Sequence, residues 1–163
     1  MRREYFGTGD IVRSMFGFDF RKKVAALEQE YRSAPLERRR EIASRLHVLC
    51  AEAKNPAAAL PFLEVMLRDP DPNIGEAATY GMGHGKTAGL ARLQQLLEDP
   101  SDIVRERACH AIANMDEKAA VALPALMAAL SDPAPGVRGR AAFALGRIPD
   151  LSKSTVDALA KLA

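Results

Sequence analysis

The sequence predicts an all-α chain: an α-solenoid of about four helical hairpins, preceded by a segment that does not repeat. Three observations lead there. Alanine and leucine dominate the apolar residues, while β-branched and aromatic residues are sparse, which favours helix over strand. Asp-Pro recurs at 69–70, 99–100 and 132–133, at spacings of 30 and 33 residues. Each Asp-Pro sits between two stretches whose apolar residues return at helical intervals, so each unit reads as two amphipathic helices joined by a proline-bearing turn.

Residues 1–20, MRREYFGTGDIVRSMFGFDF, stand outside the repeat and hold five of the nine aromatics in the chain. Asp10 can cap a short helix whose apolar face would carry Ile11, Val12, Met15 and Phe16. With Tyr5, Phe6 and Phe18, this segment is expected either to cap the first repeat or to act as a docking arm for a partner groove or for self-association. Residues 21–56 (RKKVAALEQEY, then REIASRLHVLCAEA) read as a first helical pair. The next units span about 57–86, 87–118 and 119–149. Their first helices carry Leu60, Leu63, Met66, Leu67; Leu90, Leu93, Leu96, Leu97; and Leu123, Leu126, Met127, Leu130. Their second helices carry Ile74, Ala78, Met82; Val104, Ala108, Ala111, Ile112; and Val137, Ala141, Ala144, Leu145. Proline suits the first turn of a helix, and the aspartate before it is expected to cap the second helix. Ala78, Ala108 and Ala141 share one register, and Gly81, Ala111 and Ala144 another. Such small residues let stacked units approach and share a continuous core. After Pro149, LSKSTVDALAKLA restarts a first-helix pattern, a partial unit at 150–163 that either caps the array or leaves a face for a partner or a second copy.

The stretch 80–90, YGMGHGKTAGL, ends like a phosphate-binding loop. The first glycine of that motif would fall at position 80, which is Tyr80, and no strand precedes it. Gly81, Gly83 and Gly85 instead read as the end of one helix and the turn into the next.

These units resemble HEAT repeats, in particular the short bacterial form named after the phycobilisome lyases. Pro124, Asp132 and Arg138 fit the pattern of proline, aspartate and arginine, and VRGRAAFALGRI matches its tail. Asp99 and Arg105 fit in the preceding unit, where Ala91 replaces the proline; Pro61 and Asp69 fit in the one before, where Gly75 replaces the arginine. The resemblance covers about 57–148 well and 21–56 more loosely. It implies an Asp–Arg ladder of hydrogen bonds between adjacent repeats, and a role as scaffold or regulatory subunit. It also brings two enzymatic alternatives, a bilin-lyase-like accessory role and excision of alkylated DNA bases. The pocket residues of the lyases are not identifiable here, and the DNA enzymes use tryptophan, which this chain lacks.

Composition narrows the function. A chain of 163 residues with 48% apolar and 27% charged residues is a globular domain of ordinary size, and a formal charge of +2 shows no basic excess. No apolar run approaches a membrane span, and the polar and acidic residues after Arg2 and Arg3 argue against a signal peptide. Cys50 and Cys109 lie in apolar-periodic stretches and are expected to be reduced core residues of a cytoplasmic protein. His47, His84 and His110 show no zinc-site spacing, so no metal and no cofactor is expected. The glutamates read as surface charges, and no catalytic arrangement is expected.

Repetition also aligns surface positions into stripes. Tyr80, His110 and Phe143 share one register of the second helices; Ala77, Arg107 and Arg140 share the next; His84, Asn114 and Arg147 share a third. Aromatics and arginines dominate interface hot spots, so the expected function is a non-enzymatic adaptor that binds a protein through the concave face. The competing reading has Tyr80 and Phe143 covering the core ends while the arginines pair with Glu76 and Glu106. Nucleic-acid binding through Arg105, Arg107, Arg138, Arg140 and Arg147 is weakened because Arg105 and Arg138 are expected in the ladder.

Overall fold

The computed structural model describes residues 8–148. Eight α-helices and two 3₁₀ turns form four hairpins, with no strand among the described residues. The hairpins are α1 (Thr8–Tyr31) with α2 (Leu36–Glu52), α3 (Leu60–Leu67) with α4 (Pro72–Gly83), α5 (Lys86–Leu96) with α6 (Asp102–Ala113), and α7 (Leu123–Ala129) with α8 (Pro135–Gly146). The 3₁₀ turns, Pro56–Ala59 and Asp116–Ala122, lead into α3 and α7. Second helices pack directly on one another, α2 on α4, α4 on α6 and α6 on α8, whereas α1 and α5 meet the next unit mainly through the 3₁₀ turns. The second-helix layer is therefore the tighter, inner one. No helix among the described residues is long and apolar enough to cross a membrane.

One cluster of buried side chains runs the length of the stack, from Val24 to Ile148. Leu63, Met66, Leu67, Leu93, Leu126 and Leu145 are fully buried in it, each stabilising the fold by about 1.5–3 kcal/mol relative to exposure. Gly81 belongs to the same packing: a Cβ there would stand 2.6 Å from Leu63 Cδ2. The glycines after Tyr80 do not turn the chain through left-handed backbone, since His84 and Gly85 have φ of −71° and −65°. Gly85 is required by crowding, because its Cβ would lie 2.8 Å from Gly89 Cα and 2.9 Å from the Met82 carbonyl oxygen. Cys50 and Cys109 are free and buried, and burial pushes their thiols up to about 11 and about 12.

Three expectations are corrected. First, α1 runs unbroken from Thr8 to Tyr31, across the boundary placed at residue 20. Phe20, Val24, Leu27 and Tyr31 follow helical spacing and pack on the core, so the helix of the first unit begins well before residue 21. The side chains of Ile11, Phe16 and Phe18 lie outside the described residues, as do Tyr5, Phe6 and the whole of 149–163. Second, the aspartates of the three Asp-Pro pairs at 69–70, 99–100 and 132–133 do not cap the second helices. Asp69, Asp99 and Asp132 each accept from the backbone N–H two residues on, closing an Asx turn before the helix begins. Asp71 is the residue that caps α4, accepting from the N–H groups of Asn73 and Ile74.

Third, the carboxylate ladder is there with different arginines. Arg105 grips Asp132 through two bonds of 2.7 and 2.9 Å, as expected. Asp69 is held by Arg39 and by the Tyr31 hydroxyl, and Asp99 by Arg68 from the C-terminal end of α3. Arg138 turns to its own unit and donates to the carbonyls of Asp132 and Pro133. Gly75, which stands where Arg105 and Arg138 stand in later units, leaves a notch. Arg107 fills it from the next unit, and a Cβ on Gly75 would lie 2.0 Å from its Cζ. From there it donates to the carbonyls of Leu67 at 2.6 Å and Asp69 at 2.7 Å, the turn that Arg105 and Arg138 serve in their own units.

Candidate functional site

The inner layer carries a row of rings across all four hairpins. His47 on α2 stacks on His84 and Tyr80 with centroids 5.6 and 5.5 Å apart. Tyr80 on α4 meets the edge of His110 on α6 at 5.9 Å, and His110 meets Phe143 on α8 at 6.3 Å. The register drawn from the sequence thus holds: second helices that begin at Pro72, Asp102 and Pro135 bring their ninth residues side by side. Such edge and stacked contacts add about 0.5–1.5 kcal/mol beyond burial. Yet Tyr80 and Phe143 remain 37% and 49% exposed, so the row is a surface rather than the end of the core. His47 falls outside the registers read from the sequence, because the ninth residue of α2 is Ser44 and the ring arrives three residues later.

Beside the rings lies a groove of about 350 Å³ between α4, α6 and α8. Pro72 and Ile103 give it an apolar end, Thr79 lies buried in its floor, and Glu76, Glu106 and His110 supply its polar wall. Thr79 Oγ1 donates back to the Gly75 carbonyl at 2.8 Å, which leaves no unpaired hydroxyl in the floor. Sequence reasoning missed Pro72, Thr79 and Ile103. The signal for the glutamates was available, since Glu76 and Glu106 occupy the same register one turn before the rings.

The arginine stripe does not form a common surface. Arg107 turns inward to the backbone carbonyls described above, and burial draws its pKa down while Asp69, Glu106 and Asp71 oppose that shift. Its register mate Arg140 stays on the surface and reaches Glu106, Nε to Oε1, at 3.3 Å. The register offers a simple cause: Arg107 packs against Gly75 on the preceding helix, whereas the equivalent position in the unit before Arg140 is Arg105. The third register also divides. His84 joins the ring row, Asn114 ends α6 half-buried beside Gly83, and Arg147 donates to the Ala113 carbonyl at 2.8 Å.

Burial lowers the pKa of both His47 and His110; His84 adds to the shift at His47, and Arg140 to that at His110, where Glu76 and Glu106 oppose it. Both shifts favour the neutral imidazole near pH 7. Among the described residues no three histidine, cysteine or acidic side chains gather as a metal site.

Comparison with known proteins agrees with this architecture. The family described as HEAT repeats matches residues 89–163. No curated protein matches the chain. Two engineered proteins from the Northeast Structural Genomics Consortium superpose with TM-scores of 0.51 and 0.50 at 20% identity, covering 88% of this chain and 69% and 68% of theirs. A designed armadillo repeat protein in complex with the peptide (KR)4 superposes with a TM-score of 0.50 at 20% identity, over 96% of this chain and 75% of that one. At that identity the likeness concerns the fold, an armadillo/HEAT-like solenoid.

Proposed function

We propose that this HEAT-like solenoid is a binding module without chemistry of its own, and that it holds a protein segment along its second-helix face. The observation behind the proposal is the ring row from His47 to Phe143, which crosses every hairpin and stays partly exposed next to a groove. Rings fixed by one another present a large contact area and lose little side-chain entropy on binding, which is the character of interface hot spots. The arginines support a protein over a nucleic acid as the partner. Arg105, Arg107, Arg138 and Arg147 donate to carboxylates or carbonyls within the stack, and Arg140 to Glu106, so these five do not form a row of open cations. The designed armadillo protein in complex with its peptide offers a precedent for peptide binding by a solenoid of this fold. We further place the repeats in the short phycobilisome-lyase-like form, on Pro124, Asp132 and Arg138, and the protein in a reducing, cytoplasmic compartment, on its two free cysteines.

The test is site-specific crosslinking in the source cells. A photoreactive phenylalanine analogue replaces Phe143 in one variant and Val65, a comparably exposed residue on α3, in another. A discrete protein adduct at 143 and none at 65 supports the reading. Equal adducts at both positions, or none at 143, refute it.

A further inference from the structure

The groove beside the rings has a charge pattern that selects its occupant, an inference that rests on the second-helix face being the binding face. Of its two carboxylates, Glu106 is already served: Arg140 donates to it, and its Oε2 lies against the first turn of α8, where a Cβ on Gly136 would come within 2.4 Å. Glu76 differs. It is exposed on α4 and has no hydrogen bond or ion pair to any described residue, and its electrostatic neighbour is the neutral His110. The groove's cations are not equally open, because Arg107 is turned inward onto two carbonyls and Arg140 is matched by Glu106. The carboxylate left without a direct partner in the groove is Glu76, standing beside Tyr80 and His110, with Phe143 next in the row.

We propose that this groove seats a lysine or arginine side chain of a partner protein, with its charge on Glu76, its stem along the rings, and an adjacent apolar residue against Ile103 and Pro72. A cation above aromatic faces is attracted by their quadrupoles, and a carboxylate at the rim adds a direct ion pair. An anionic side chain or a phosphate would meet Glu76 and would have to draw Arg140 away from Glu106 to be offset. The groove volume of about 350 Å³ matches one long side chain with an apolar neighbour, not a folded element.

The experiment is selection of random twelve-residue peptides on the full chain, followed by affinity measurement on variants whose folding is checked by circular dichroism and melting. The expected pool is enriched in one basic position next to an aliphatic one. Its peptides bind Glu76→Gln at least about tenfold more weakly than wild type, the loss typical of one removed charge partner. Glu64→Gln, which alters a glutamate paired with Arg92 on the first-helix layer, leaves that affinity unchanged. Peptides that require Tyr80 and Phe143 but show no basic preference overturn the inference and leave the binding face standing. A pool enriched in acidic residues overturns it with the opposite sign. A pool indifferent to Tyr80→Ala and Phe143→Ala removes both the inference and the face on which it rests.

Discussion

Gly75→Ala is the sharpest probe of how the units are joined. A β-carbon at position 75 occupies the place of the Arg107 guanidinium, with Cζ at 2.0 Å and Nε and Nη2 at 2.3 Å. The guanidinium is the end of a flexible side chain, so it swings away rather than deforming the helices. What is lost is its bonding to the carbonyls of Leu67 and Asp69. Two hydrogen bonds from a charged donor, at about 1.5 kcal/mol each, give a loss of about 3 kcal/mol. Alanine in place of glycine within a helix returns about 0.5–1 kcal/mol. The net expectation is a destabilisation of about 2 kcal/mol, which for a chain of this size lowers Tm by roughly 4–8 °C. Urea denaturation of wild type, Gly75→Ala, Arg107→Ala and the double variant measures it as a cycle. In the Arg107→Ala background the same Gly75→Ala change stabilises, because only the helix-propensity gain remains. Equal effects of Gly75→Ala in the two backgrounds, or a single variant as stable as wild type, would refute the notch and its guanidinium.

Three other outcomes are expected. Lowering the pH from 7.5 to 5.5 destabilises the fold: His47 and His110 have native pKa values below their unfolded value, so the unfolded chain takes up protons first and the stability present above about pH 6.5 is lost as pH falls. Urea midpoints at the two pH values check this, and His47→Gln flattens the difference. Asp132→Asn weakens the bidentate Arg105 pair while keeping an oxygen for the Asx turn, and lowers the melting temperature; thermal melts read the change. Cys50 and Cys109 resist a thiol reagent at pH 8 in the native state and react at the rate of unfolding, because burial keeps both thiols protonated and covered.

The solenoid was legible because the Asp-Pro pairs mark its turns, and because one apolar stripe cannot be buried by one hairpin. Equal register then brought Tyr80, His110 and Phe143 together, since stacked second helices repeat the same geometry. Reading failed where a unit lacks the marker or where a long side chain chooses between neighbours. His47 belongs to the hairpin without Asp-Pro, and its ring enters the row from a shifted register. Arg68, at a helix end with no repeat register, took the carboxylate of Asp99 that an arginine at position 75 would have held. Arg107 and Arg140 are alike in sequence position, yet one reaches backbone carbonyls 38–40 residues away and the other the surface. The aspartates read as caps in the sequence because an Asx turn and an N-cap use the same residue type two positions apart.

The paired fates of Arg107 and Arg140 bear on how such a chain can change over generations. In an array of identical modules any copy can be lost, duplicated or moved, since every junction is alike. Here the meaning of a residue depends on which module precedes it. Removing the third hairpin would bring Arg140 opposite the vacancy at Gly75 and draw it off the surface, away from a Glu106 that would no longer exist. A single Gly75→Arg replacement would act the other way, expelling Arg107 into the groove as a new cation beside Glu76. The binding face can thus be rewritten by a substitution behind it, and the sequence of the modules is itself part of what the surface says.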